Sequence, residues 1–174
     1  MDKLIAHRLS KNSHPLLIER MRQIYNTMIP WVATRPLTPI ESQPQQDWWN
    51  QLVDHTKTTF HLYSPIETPW EICAYSVVTD RGDFCTPHFA IGGAWWGRGY
   101  GAEIIQHYLE VAAKPLYGSQ LVSNAAIRHL NTKFGWHVLD TRDGVEYLHH
   151  PGVNPNIRQQ EIYDEILRYH GVAS

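Results

Sequence analysis

Between Phe89 and Ile105 the chain runs from an apolar stretch, Phe89-Ala90-Ile91, through Trp95-Trp96-Gly97-Arg98-Gly99-Tyr100-Gly101-Ala102-Glu103 into an amphipathic one. Three glycines in five positions, followed at once by helical periodicity, predict a strand, a tight loop and a helix start. Such a loop leaves backbone N–H groups unpaired and converging beside the positive end of a helix dipole. That arrangement suits an anion, and phosphate is the usual occupant. From these residues alone, a turn that only redirects the chain is the alternative.

At 174 residues the chain fits one domain with a self-sufficient core. Hydrophobic residues at 43% and charged residues at 18% place it among globular proteins. A net charge of −2 argues against nucleic acid or a membrane surface as partner. The two cysteines, Cys73 and Cys85, have no Cys-x-x-Cys spacing and suit a reducing compartment. Met1 to Leu9 lacks the apolar core of a signal peptide, and no run approaches the ~20 apolar residues of a membrane span. The expectation is a soluble, cytoplasmic protein with no metal site.

Lys3 to Leu9 reads as an edge strand. Asn12-Ser13-His14-Pro15 opens a helix with Leu17, Met21, Ile24 and Met28 on one face, which Pro30 is expected to end. An irregular connection from Trp31 to Ile40 follows. Pro44 opens a second helix whose buried stripe would be Trp48, Trp49, Leu52 and Val53. Thr58 to Tyr63 and Glu71 to Thr79 read as strands separated by a turn at Ser64-Pro65. Asp80-Arg81-Gly82-Asp83 is a hairpin turn leading to a strand from Cys85 to Ile91.

After the glycine loop, Ile104, Ile105, Tyr108, Leu109 and Ala112 make a helical stripe that Pro115 stops. Gln120-Leu121-Val122 reads as a strand. Ser123 caps a helix with Ile127, Leu130 and Phe134, closed by Gly135. Trp136 to Leu139 and Val145 to His149 form a hairpin around Thr141-Arg142-Asp143-Gly144. Residues 151 to 155 are a linker, and Asn156 starts a last helix. The class is α+β, with a mixed, mostly antiparallel sheet flanked by helices.

Two segments now combine: Trp96 to Glu103, and Ser123-Asn124-Ala125-Ala126-Ile127-Arg128-His129-Leu130-Asn131-Thr132-Lys133-Phe134-Gly135-Trp136. Together they resemble the GNAT superfamily of acyl-CoA-dependent N-acetyltransferases. Gly99 and Gly101 match the small positions of the family's pyrophosphate loop, and Trp96 stands where Gln or Arg is usual. Asn124, Leu130, Lys133, Gly135 and Trp136 match its second motif in register. The resemblance covers residues 40 to 150 well, and residues 156–170 look like an extension of a single domain spanning 1–174. It implies that Arg98, Gly99, Tyr100, Gly101 and Ala102 hold the pyrophosphate of acetyl-CoA. It further implies that the backbone of Phe89, Ala90 and Ile91 pairs with the pantetheine arm, and that Asn124 faces the cosubstrate. Read from the residues alone, Asn124 is equally well a helix-start residue.

Direct acetyl transfer needs a neutral amine, a held oxyanion and a proton for the leaving thiol. The chain departs from the family at two customary catalytic positions. Asn131 stands where a tyrosine acid is usual, and Ser119 replaces a strand-five glutamate of some members. Asn131 cannot protonate anything but can hydrogen-bond the sulfur or an amide. His88, on the strand that meets the thioester, is preferred as base over Glu71, Asp80 and Asp83. Tyr75, Tyr100 and Tyr147 are candidates for a substitute acid, with core packing as the alternative for each.

The expected function is N-acetylation of a primary amine: a polyamine, an amino sugar or a protein N-terminus. Trp31, Trp48, Trp49 and Trp95 suggest an aromatic-lined pocket for it. A CoA-binding protein without transfer is the alternative that Asn131 and Ser119 motivate. Modification of a macromolecular acceptor is a third. The final helix is a candidate homodimer interface.

Overall fold

The computed structural model describes residues 3–32, 38–51, 57–112 and 114–150. The predicted linker and last helix, the middle of the connection after Trp31, and Leu52 and Val53 lie outside the described residues. Seven strands form one sheet: β1 (Leu4–Arg8), β2 (Thr58–Pro65), β3 (Ala74–Asp80), β4 (Cys85–Ile91), β5 (Leu116–Leu121), β6 (His137–Arg142) and β7 (Val145–His150). Their spatial order is β1-β2-β3-β4-β5-β7-β6. All neighbours are antiparallel except β4 and β5, which run parallel. Among the described residues four helices cover the sheet: α1 (Pro15–Val32), α2 (Ser42–Gln51), α3 (Tyr100–Val111) and α4 (Ala125–Lys133).

Period-2 alternation gives each sheet face its own core. On one face Leu4, Tyr63, Val78, Leu116 and Leu148 meet Ile104, Ile105 and Tyr108 of α3. On the other, Phe60, Leu62, Tyr75 and Ala90 meet Ile18, Met21 and Ile24 of α1 and Trp49 of α2. The product is a helix–sheet–helix sandwich whose middle layer is interrupted at β4 and β5.

Several expectations shift by a few residues, each for a local reason. α1 continues past Pro30 to Val32, because a proline in a last turn removes one i−4 bond without forcing the chain out. Ser64 and Pro65 belong to β2 rather than to a turn. The odd residues of β2 face β3, as Cys73 N–H donating to Tyr63 C=O shows, and β3 has ended by Pro65. Its missing donor therefore leaves no ladder bond unmade. β5 begins at Leu116 and not at Gln120. Gly118 hides the strand from a propensity reading, although in the sheet it sits beside the Trp136 ring, where a Cβ would make ordinary contact at 3.7 Å. Asn124, not Ser123, caps α4: its side chain accepts the Ile127 N–H. Trp48 is 42% exposed rather than buried, although its edge packs on Phe60.

The hairpin turns match expectation. Gly82 has φ 98°, and Asp143 and Gly144 have φ 49° and 78°, the left-handed pair a two-residue hairpin requires.

Candidate active site

β4 and β5 are paired at one position only, Cys85 with Leu116, and diverge beyond it. The direction of the backbone groups along the gap follows from ladder parity. Arg81 N–H donates to Phe84 C=O and Gly92 N–H to Cys73 C=O, each at 2.8 Å. Antiparallel hydrogen-bonded pairs alternate, so Thr86, His88 and Ala90 are spent on β3. Phe89 and Ile91 turn their N–H and C=O toward the gap. Across it, Val122 N–H donates to Gly144 C=O at 2.8 Å. By the same parity Gly118 and Gln120 bond β7, and Tyr117 and Ser119 face the opening. Two strand edges thus stand apart with backbone groups aimed between them. Of the three residues expected to pair with a ligand arm, Phe89 and Ile91 present their backbones to the gap and Ala90 presents its backbone to β3.

The glycine loop closes the wide end. A 3-10 turn, Gly93–Trp95, carries the chain out of β4. The Trp96 indole N–H returns to donate to Ile91 C=O at 2.9 Å, taking one of the outward carbonyls. Gly97 and Gly99 then sit at φ 76° and 83°, which only glycine adopts without strain. Gly99 is the N-cap of α3 and offers no side-chain cap. Among the described residues no acceptor takes the N–H of Gly97, Arg98 or Gly99. The first N–H groups of α3, from Tyr100 to Ala102, lack intrahelical partners by construction. Glu103, which could have capped this turn, accepts instead from Lys3 and Leu4 N–H at 3.1 and 3.3 Å. Gly101 is glycine for packing: a Cβ there would lie 2.9 Å from Leu130 Cδ1, so α3 and α4 approach closely.

Two cations flank this nest. The Arg98 guanidinium lies over the Trp95 ring, 4.7 Å from its centroid. Lys3 Nζ donates to Arg98 C=O at 3.4 Å and sits 3.4 Å from where a Gly99 Cβ would be. Sequence reasoning missed Lys3, because nothing local links β1 to a loop some ninety residues on. Unpaired N–H groups, a dipole terminus and two cations fit a pyrophosphate. Strand edges with open amide groups fit the amide-bearing arm attached to it.

On the α1 face of β4, His88 Nε2 is 2.7 Å from the Tyr75 hydroxyl. The Tyr25 ring of α1 meets His88 edge-on at 6.4 Å. His88 is exposed as a residue, yet the protein crowded around its ring pushes its pKa down, to about 4, so the imidazole is neutral at pH 7. Burial pushes the Tyr75 hydroxyl up, beyond any physiological titration. The alternative bases stand apart. Asp80, where β3 enters the hairpin turn, is held below the usual carboxylate range by Lys114, 2.6 Å away on the connection between α3 and β5. Asp83 lies in the same turn. Glu71 lines a surface groove of about 570 Å³ with Leu16, Leu17, Arg20, Trp70, Ile72 and Trp95. The tryptophans do not share one pocket: Trp48 and Trp49 pack on Phe60, and Trp95 lines this groove. Trp31 is not among the described side chains.

Asn124 Oδ1 accepts from Ile127 N–H at 3.2 Å. Asn131 is buried against β5 and donates to Gln120. Of the substitute acids, Tyr100 and Tyr147 are buried, at 5% and 3% exposure, and Tyr75 is bonded to His88. Among the described residues no group of three His, Cys, Asp or Glu could hold a metal.

No family model matches the chain. No curated protein matches either. Solved structures do. An N-acetyltransferase from Staphylococcus aureus aligns with a TM-score of 0.69 at 12% identity, over 84% of this chain and 98% of that one. A GCN5-related N-acetyltransferase from Kribbella flavida aligns at 0.68 and 12%, over 86% and 98%. Spermidine N-acetyltransferase from Vibrio cholerae, solved with CoA and spermine, aligns at 0.67 and 12%, over 87% and 97%. The seven-stranded sheet parted between its fourth and fifth strands, with a glycine loop at the opening, is the GNAT fold.

Proposed function

We propose that this protein is an N-acetyltransferase that moves the acetyl group of acetyl-CoA to a primary amine. The observation that carries the reading is the unpaired nest of Gly97, Arg98 and Gly99 N–H groups at the mouth of the gap between β4 and β5. Acetyl-CoA supplies a thioester whose C–S bond breaks as the C–N bond to the amine forms. The chain binds and orients it. Gly97 to Ala102 hold the pyrophosphate on backbone N–H groups, and Arg98 and Lys3 add charge. The outward amides of Phe89 and Ile91 pair with the pantetheine arm and polarise the acyl carbonyl.

The amine enters from the α1 side, where His88, Tyr75 and Tyr25 lie. There the neutral imidazole accepts a hydrogen bond from the amine and takes its proton through Nδ1, since Nε2 is engaged with Tyr75. The acceptor is a small amine such as a polyamine or amino sugar, or a protein N-terminus. The neighbour described with spermine supports the class and not the compound.

Incubation with labelled acetyl-CoA and an amine panel tests this. Acetylated amine with stoichiometric free thiol is the expected result, and neither CoA binding nor transfer on any amine would sink the proposal. A second reading, binding of CoA without transfer, rests on Asn131 being turned to Gln120 where the resembling enzymes carry a tyrosine. Tight CoA binding with no turnover would favour it.

A further inference from the structure

The face of the sheet on which His88 lies is built largely from aromatic side chains, and strand parity says which ones. Tyr75 and Ala90 pack toward α1, so His88, two residues from Ala90, is on their side. Across the gap, Leu116 and Leu148 belong to the α3 core. Tyr117, Ser119, Tyr147 and His149 therefore point the other way, to the side of His88. The Tyr25 ring of α1 meets His88 edge-on, and Tyr117 packs on His149 with 4.8 Å between ring centroids.

These groups are held uncharged. Burial keeps the phenol protons on Tyr75, Tyr117 and Tyr147, and it keeps the imidazoles of His88 and His149 from taking one. On this side β3 presents Tyr75, Val77 and Thr79, and β4 presents Thr86, His88 and Ala90. β5 adds Tyr117, Ser119 and Leu121, and β7 adds Val145, Tyr147 and His149. None of these twelve is acidic. The described carboxylates at the margins are already spent: Asp140, opposite Tyr147 in the ladder, pairs with Arg142, and Glu19 of α1 pairs with Arg22. The sequence from Trp31 to Ile40, which continues from α1, carries Arg35 and no Asp or Glu.

We propose that the acceptor is a monoamine with an uncharged aromatic body, its nitrogen at His88 and its ring against Tyr25. The inference rests on reading the gap as an acetyl-CoA site where His88 meets the amine. A polyamine that loses one proton to react still carries ammonium groups elsewhere, and each must leave water for a partner of opposite charge. The described strands on this face supply imidazole, phenol and hydroxyl groups instead. Nor do they form a cage of ring faces for a cation, because Tyr75, Tyr117 and Tyr147 are no more than 3% exposed. An aryl ring asks only for ring contact, which exposed His88 and half-buried Tyr25 offer.

Steady-state kinetics of the full chain with acetyl-CoA, followed as released thiol, test this. Benzylamine, phenethylamine and tyramine are compared with spermidine and glucosamine, and CoA affinity is read separately by calorimetry. The best arylalkyl amine is expected to exceed spermidine and glucosamine by about 10-fold or more in kcat/KM. Tyr25→Ala should lower that value about 5- to 10-fold, with spermidine changed by less than about 2-fold and CoA affinity kept. Tyr25→Glu sets a carboxylate beside His88 and should narrow or reverse the preference. Spermidine or glucosamine used as well as the arylalkyl amines, or equal losses in Tyr25→Ala, overturns the assignment. If neither variant folds, the parent protein's ranking of the five amines decides. Transfer to other amines but to none of the three arylalkyl amines overturns this inference and leaves the acetyltransferase reading standing. A parent protein that binds no CoA, or binds it and acetylates no amine, overturns that reading and this inference with it.

Discussion

Gly99 holds φ 83° at the first residue before α3, so any side chain there carries left-handed strain. Gly99→Ala is expected to cost about 1 kcal/mol, to lower Tm by roughly 2–4 °C, and to weaken CoA, checked by thermal melting and calorimetry on one sample. His88 is expected to act on the amine and not on the cosubstrate. His88→Ala should lower kcat by about 10²-fold with unchanged CoA affinity, read from steady-state kinetics against direct titration. A parallel loss of CoA binding would assign His88 to the wall of the cosubstrate site. At this scale the sequence was legible wherever the chemistry is local: glycines at positive φ, a helix start within one residue of its cap, a histidine on β4. The partner of each side chain was not. Asn131 faces Gln120, and Lys3 leans on the loop, only because β5 and β1 come alongside in space.

α4 is tied to the sheet by a short polar chain rather than by apolar contact alone. Arg128 pairs with Glu146, a β7 carboxylate 5% exposed, which also accepts from Gln120 of β5. Burial would raise the Glu146 pKa, but the hydrogen bonds from Arg128 and Gln120 outweigh it and hold it below the usual range. Arg128→Met is therefore expected to cost about 2 kcal/mol, because it leaves a buried carboxylate with one neutral donor. Denaturant unfolding would show the loss, and Arg128→Met with Glu146→Gln should restore part of it. Element identity was largely readable from periodicity; boundaries were not. β5 was foreshortened at Gly118 and β2 at Pro65, residues that disfavour strands in isolation. In the fold Gly118 keeps its place in the β5 ladder with β7 beside the Trp136 ring, and Pro65 faces a strand that has ended.

Across the whole molecule, buried and half-buried histidines set the response to acid. His61 of β2 and His107 of α3 meet at 4.6 Å between ring centroids, and Tyr63 links His107 to Ser76. Burial lowers the pKa of both, of His61 to about 4, and burial also lowers His149 and His150. A histidine whose folded pKa is depressed favours the neutral form, so its contribution is complete above the unfolded value near 6.5. It is lost as pH falls from there toward 4, while the unfolded chain binds protons that the folded chain refuses. Stability should drop between pH 6.5 and 4, with His61 accounting for about 1–2 kcal/mol. Melting curves across that range check it, and His61→Phe should flatten the profile.

The order of strand, glycine loop and helix, and the type of nearly every element, follow from the sequence by itself. Glycine spacing, capping residues and periods of two or 3.6 are properties of neighbours along the chain. The tertiary structure alone decided that β4 and β5 part after a single pair and that Ala90 is spent on β3 while Phe89 and Ile91 stay open. It also set Asn131, which the sequence already excludes as an acid, against Gln120 in a seam of amides. Each of these depends on which strand lies alongside, and register between distant segments is fixed by the packing of the whole sheet rather than by any one stretch.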